Sequence, residues 1–166
     1  MTLATHAVTG ALIGAVASQN LLFAAGAGFI SHFLFDTIPH WDYSLRTLEK
    51  KSLSIENNMN TKGLNFIIDL AKIAFDFWLG MALVFVMVYS LPLPVIIGAF
   101  IGALAAVLPD PLQFVYWKLR PRIMLPIQHF HMYMHATHKL NDRPLLGVTS
   151  QLGIVIITFI VFQLIY

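Results

Sequence analysis

The 166-residue chain contains no cysteine, so disulfides and thiolate metal sites are excluded and the redox compartment is left unread. Charge is scarce as well. Asp, Glu, Lys and Arg together make up 11% of the residues against 58% hydrophobic, and the mean hydropathy is +0.75, far from the balance of a soluble domain. The formal net charge of +2 is too small to define a nucleic-acid surface. Internal repeats and low-complexity tracts are missing. Residues 1–17 lack both a basic leader and an A-x-A-like cleavage site, so they read as a retained helix and not as a signal peptide. These absences leave one class, an integral membrane protein forming a single membrane domain over residues 1–166.

What the chain does have is apolar runs. Residues 3–17, 21–35, 73–90, 95–108 and 145–166 are of spanning or nearly spanning length. The expected fold is all-α: a bundle of about five transmembrane helices plus an interfacial helix on the cytoplasmic side. The first two runs are shorter than the roughly twenty residues that cross a bilayer, so either the bilayer thins or polar helix ends prolong them. Gly10/Gly14 and Gly98/Gly102 repeat small residues at the spacing that lets membrane helices approach closely. Pro92 and Pro94 break the third run from the fourth.

Five spans put the N-terminus and the loops 37–63 and 109–144 on one side. Those loops hold Arg46, Lys50, Lys51, Lys62, Lys118, Arg120, Arg122, Lys139 and Arg143, while the opposite loops hold no Lys or Arg. The excess of basic residues marks the first side as cytoplasmic. Trp41, Tyr43, Tyr116 and Trp117 fall at span ends on that side, where an aromatic belt belongs.

The ionisable residues gather there too. The stretch GFISHFLFDTIPHWDY, residues 28–43, starts as an apolar helix and exits through two histidines and two aspartates. Pro39 cannot continue the helix and disfavours helical geometry at Ile38. The span should therefore stop near Thr37, with His32 and Asp36 inside and His40 and Asp42 turned back over the rim. His6 lies in the first turns of the first span, and Asp110 follows the fourth in LPDPLQ. Asp69, Lys72 and Asp76 share one helical face at the entrance of the third span. A helix is expected after Pro126, lying against the membrane domain. It would carry His131, His135 and His138 on one stripe, His129 nearly opposite, and Phe130, Met134 and Thr137 on a second face.

Buried carboxylates in a membrane are costly unless they are paired or line a cavity. Asp36, Asp69, Asp76 and Asp110 have a single cation, Lys72, placed among them. Imidazoles with carboxylates form the donor set that suits zinc or a similar divalent ion, and His32/Asp36 and His131/His135 have the i, i+4 spacing that aims two side chains at one ion. Other readings stay open. Asp69, Lys72 and Asp76 can form an internal salt-bridge cluster, Asp110 can cap a turn between its two prolines, and His129 and His138 can be solvated. Glu49 and Glu56 read as a solvated face.

The segments THAVTGALIG, SHFLFDTIPHWDY, GALAAVLPD and HFHMYMH resemble small bacterial and archaeal membrane-bound metal-dependent hydrolases of the LexA-regulated inner-membrane type. The resemblance is spread over most of the chain through short motifs. It implies His6, Asp110 and the pair His131/His135 as metal residues. The family's LPD motif usually continues with a second Asp and a His, whereas Pro111, Leu112 and Gln113 stand here. His32, Asp36, His40 and Asp42 can supply the missing ligands.

The sequence therefore points to a metal-dependent hydrolase in a prokaryotic inner membrane, multi-pass, with its N-terminus cytoplasmic. Its metal ligands would be His6, His32, Asp36, His40, Asp110, His131 and His135, and a divalent cation, zinc first, its cofactor. Asp36 or Asp69 would be the general base. Membrane lipids are the expected surroundings and a lipid-like ester, amide or phosphodiester the expected substrate; nucleic acid is not a partner, and a homo-oligomer is open. The alternatives are a cation or proton transporter or channel component, a non-enzymatic metal- or haem-binding protein, and a scaffold. A transporter needs polar residues continuing to the far face, where Ser90, Gln151 and Gln163 are isolated.

Overall fold

Residues 3 to 16 are small or apolar almost without exception, and they form the helix on which the others pack. A computed structural model describes residues 1–51, 54–136 and 140–166. Helix α1 (Leu3–Val16) is buried on every side from Leu3 to Ala11 because α2 (Leu21–Asp36), α3 (Leu64–Val88), α4 (Leu93–Val107) and α7 (Pro144–Ile165) all contact it. A helix enclosed in this way has no need of a polar face. Two further helices, α5 (Pro109–Leu119) and α6 (Leu125–Met134), a short antiparallel hairpin of β1 (Leu48–Glu49) with β2 (Asn58–Met59), and single 3₁₀ turns at Ser54–Glu56 and Arg122–Met124 complete the described elements.

Three helical runs, Leu64–Val88, Leu93–Leu119 and Pro144–Ile165, are long and apolar enough to cross a membrane. At a rise of about 1.5 Å per residue, the 14 residues of α1 and 16 of α2 make rods of roughly 21 and 24 Å, short of the ~30 Å hydrocarbon layer. The outward faces are strongly apolar, with Leu22, Phe23, Phe75, Trp78 and Leu164 exposed. Such surfaces are expensive in water and compatible with a membrane protein.

The glycines determine how closely α1 and α4 approach. A Cβ on Gly102 would fall on the backbone of Gly10 and Gly14, and one on Gly28 would lie 2.5 Å from Gly102 O. Small residues thus let three helices meet almost backbone to backbone. Gly26 and Gly153 have open space around them and take no part in this packing.

The structure departs from the sequence expectation at two places. The third helix begins at Leu64 and is a single rod of 25 residues. The chain also does not turn after the fourth run: Leu108 keeps helical geometry, Pro109 takes a first-turn position, and the helix resumes through Asp110 to Leu119. A proline there forfeits only a backbone N–H that the first turn leaves unpaired, and Leu112 N still reaches Leu108 O at 3.2 Å. Asp110 therefore stands on a helix and does not cap a turn. Helix α5 ends at Arg120, whose φ of 52° reverses the chain.

The basic residues fasten the loops. Lys118 Nζ donates to Met59 O at 2.7 Å, and the Arg120 guanidinium donates to the carbonyls of Ile55, Glu56 and Asn57. Of the four aromatics expected in a belt, Tyr116 is buried, with the Arg120 guanidinium 5.3 Å from its ring centroid.

Candidate metal centre

Helix α1 starts at Leu3 without a side-chain cap of its own, leaving its first N–H groups unpaired. Asp76 of α3 supplies the missing acceptor: its Oδ2 takes the Leu3 N–H at 2.7 Å and its Oδ1 the Ala4 N–H at 3.1 Å. A carboxylate at this pole of a helix also meets its positive dipole end. This contact, together with Gln151 accepting from Thr2 N and donating to Trp41 O, both at 2.9 Å, holds His6 one turn above the α1 terminus. Burial, followed by the nearby Asp76 and Asp110 carboxylates, pushes the Tyr43 hydroxyl well above its usual pKa, so it remains a donor to Asp76. Asp76→Ala is expected to cost about 1–3 kcal/mol by orphaning two buried N–H groups, read as a lower unfolding temperature in detergent, while Glu49→Gln leaves it unchanged.

Helix α2 ends at Asp36, three residues before Pro39, and the chain then folds back. His40 is fully buried, and its Nδ1 lies 2.7 Å from Ile38 O. The strap after α6 is pinned to this exit by backbone bonds, Ala136 N to Asp36 O at 2.8 Å and Leu140 N to His40 O at 2.9 Å. His131 projects from the last turn of α6, while His135, just past its end, has an extended backbone. The shared helical stripe therefore stops at Met134, yet both rings reach the same place.

That place is Asp36. Its Oδ1 lies 2.9 Å from the Met1 nitrogen, 3.1 Å from His6 Nε2 and 3.9 Å from His40 Nε2. Its Oδ2 lies 3.3 Å from His32 Nε2, 3.4 Å from His131 Nε2 and 3.8 Å from His135 Nε2. Asp110 comes from the α4–α5 junction to within 3.7 Å of His32 Nε2 and 3.8 Å of His131 Nε2, and Asp42 lies 3.2 Å from His40 Nε2. Three overlapping groups, His6/His32/Asp36, His32/Asp110/His131 and Asp36/His40/His135, are each close enough to hold a metal ion.

The hydrogen atoms on two of the rings follow from their neighbours. His32 Nδ1 sits 2.8 Å from Ala106 O and His40 Nδ1 2.7 Å from Ile38 O. A carbonyl only accepts, so each Nδ1 is the donor. In the neutral ring, Nε2 then presents a lone pair, that of His32 on the side of Asp36 and that of His40 between Asp42 and Asp36. Asp36 Oδ2 and His40 Nε2 are in fact buried without a hydrogen-bond partner. Buried lone pairs converging in this way can hold a cation, and a ring whose other N–H is held by a carbonyl is the arrangement typical of a metal-ligating histidine.

His6, His32, Asp36, His40, Asp110, His131 and His135 are thus brought together. Asp69 stands elsewhere: its Oδ2 accepts from Thr47 N and Thr47 Oγ1, both at 2.8 Å, and Lys72 Nζ lies 3.5 Å from its Oδ1. The face shared by Asp69, Lys72 and Asp76 is divided between a loop anchor and a helix cap. His129 is exposed, and Thr137 and His138 lie outside the described residues. The Ala106 and Ile38 carbonyls, which orient two of the imidazoles, have no sequence signature, because any residue carries a carbonyl. Asp76 had none either, since Thr2 is itself a residue type that caps helices and only the fold brings the α3 carboxylate to this end of α1.

Fold and site define a helical protein with three helices able to cross a membrane and a buried His/Asp group able to hold a metal ion. Comparison with protein-family models, curated proteins and solved structures finds no match.

Proposed function

We propose that the protein is a metal-dependent hydrolase of a prokaryotic inner membrane, built as a bundle of about five transmembrane helices with the site at the cytoplasmic interface. The observation that carries the metal reading is the set of imidazole Nε2 atoms around the buried Asp36 carboxylate, two of them with Nδ1 committed to backbone carbonyls. Neutral imidazoles and carboxylates favour zinc among the common divalent ions. The orientation rests on the basic residues of the loops 37–63 and 109–144, against opposite loops that hold no Lys or Arg.

A bound divalent ion supplies Lewis acidity, acidifying water and polarising a carbonyl or phosphoryl oxygen. The chain's own groups divide the remaining work. Asp36 is assigned to binding, since both its oxygens face imidazoles. Asp110, 32% exposed and near His32 and His131, is likewise assigned to binding; Asp69, held by Thr47, lies outside the cluster and is not assigned the general base.

Support for a lipid-like substrate comes from an apolar groove of about 470 Å³ beside the site, lined by Phe29, Phe33, Ile127, Phe130 and Met134 among others. The Phe33 ring links groove and centre, 4.9 Å from the Phe130 ring and 5.5 Å from that of His131. An acyl chain in the groove would leave its ester, amide or phosphodiester group at the histidines. The purified protein is expected to contain zinc and to hydrolyse a lipid of this kind; a chelator abolishes turnover and zinc restores it. Bound zinc without hydrolysis of any such lipid would replace this reading by a non-enzymatic metal protein, and a metal-free protein would favour a scaffold.

A further inference from the structure

The two oxygens of Asp36 face different donors. On the Oδ1 side stand His6 and His40, with Asp42 Oδ1 3.2 Å from His40 Nε2. On the Oδ2 side stand His32 and His131, their Nε2 atoms 3.2 Å apart, with Asp110 Oδ1 near both. His135 lies between the sets, its Nε2 3.8 Å from Asp36 Oδ2 and its ring 4.8 Å from that of His40. One tetrahedral ion takes about four donors, and this cluster offers enough for more than one. Each side also holds buried atoms without a hydrogen-bond partner, His6 Nδ1 and His40 Nε2 on the first and Asp36 Oδ2 on the second. All three residues are at most 1% exposed.

We propose that the centre is dinuclear. Asp36 bridges two divalent cations, one held through Oδ1 with His6, His40 and Asp42, the other through Oδ2 with His32, His131 and Asp110. This rests on the metal reading above and extends it. A bridging carboxylate suits the ~3.5–4 Å separation of two-metal hydrolytic sites. It also accounts for placing the most buried carboxylate of the cluster between the two sets of donors, where each of its oxygens faces one set. The Met1 nitrogen, 2.9 Å from Asp36 Oδ1 and 3.1 Å from Asp42 Oδ1, marks the Oδ1 side as a place where positive charge is favoured, and it is the competing occupant there.

The test uses the full chain purified in detergent, stripped with a chelator and reloaded with zinc, with metal counted against protein. Two equivalents are expected in the parent and one in each of His40→Ala and Asp110→Asn, which remove a donor from opposite sides. Asp42→Asn takes the place of His40→Ala should that variant not fold. Loading with manganese(II) instead should give the electron paramagnetic resonance signature of a coupled pair in the parent and of isolated ions in the variants. One equivalent in the parent overturns the bridge and leaves a mononuclear metal centre standing, with the Met1 nitrogen as the other cation. No bound metal overturns both.

Discussion

Asp36→Asn is expected to weaken metal retention by more than about 100-fold, because loss of even an outer hydrogen-bonding partner costs ~10–100-fold and Asp36 would be a direct ligand of the proposed centre. The amide keeps the shape of the side chain and removes its charge, so the imidazoles stay in place while the anion they surround is gone. Stability falls as well. The Met1 nitrogen bonds to the buried Asp36 carboxylate at 2.9 Å, and removing one partner of a buried ion pair costs about 3–5 kcal/mol. Elemental analysis and thermal unfolding in detergent read the two effects separately. Glu49, exposed on the hairpin, is the control, and Glu49→Gln should alter neither. Equal metal in Asp36→Asn and the parent would remove Asp36 from the site.

Gly102→Leu is expected to abolish folding of the bundle. Its Cβ alone would meet the Gly10 carbonyl and the Gly14 backbone, which cannot rotate away as a side chain can. Overpacking against movable side chains costs about 1–3 kcal/mol; against backbone the helices must separate. The consequence reaches the site, because α4 carries the Ala106 carbonyl that orients His32, and α1 carries His6. Gly153→Ala, at a position with nothing within 4 Å, should leave expression and unfolding temperature unchanged. Detergent-solubilised yield and size-exclusion profile distinguish the two. A folded, monodisperse Gly102→Leu protein would mean that α1 and α4 are not in backbone contact.

Some of this was legible before any coordinates. The ends of α1 and α2 follow from where apolar runs meet Ser18–Gln19–Asn20 and Pro39. The glycine pairs announce close helix approach, since no other residue lacks a Cβ. Seven candidate ligands could be named because buried His and Asp are too costly to be incidental in so apolar a chain. Asp69 was named on the same ground and stands apart, because adjacency on a helix face does not say which neighbour comes to meet it: Thr47 did. The run through Pro109 differs from the sequence expectation for a related reason. Proline marks a helix start as readily as a stop, and only the surroundings choose between them.

The sequence by itself determined the helical class, the strongly apolar runs and the kind of donor they carry, all consequences of local composition and period. Which three runs are long enough to cross a membrane, Leu64–Val88, Leu93–Leu119 and Pro144–Ile165, came only with the structure. Tertiary structure decided the rest. It set which carboxylate lies among the histidines and which caps α1, and which imidazole nitrogen carries the hydrogen. Those choices depend on residues 30 to 100 positions apart in the chain meeting at one point, as Asp36, Ala106 and His131 do. Helix packing governs such meetings, and no local pattern records them.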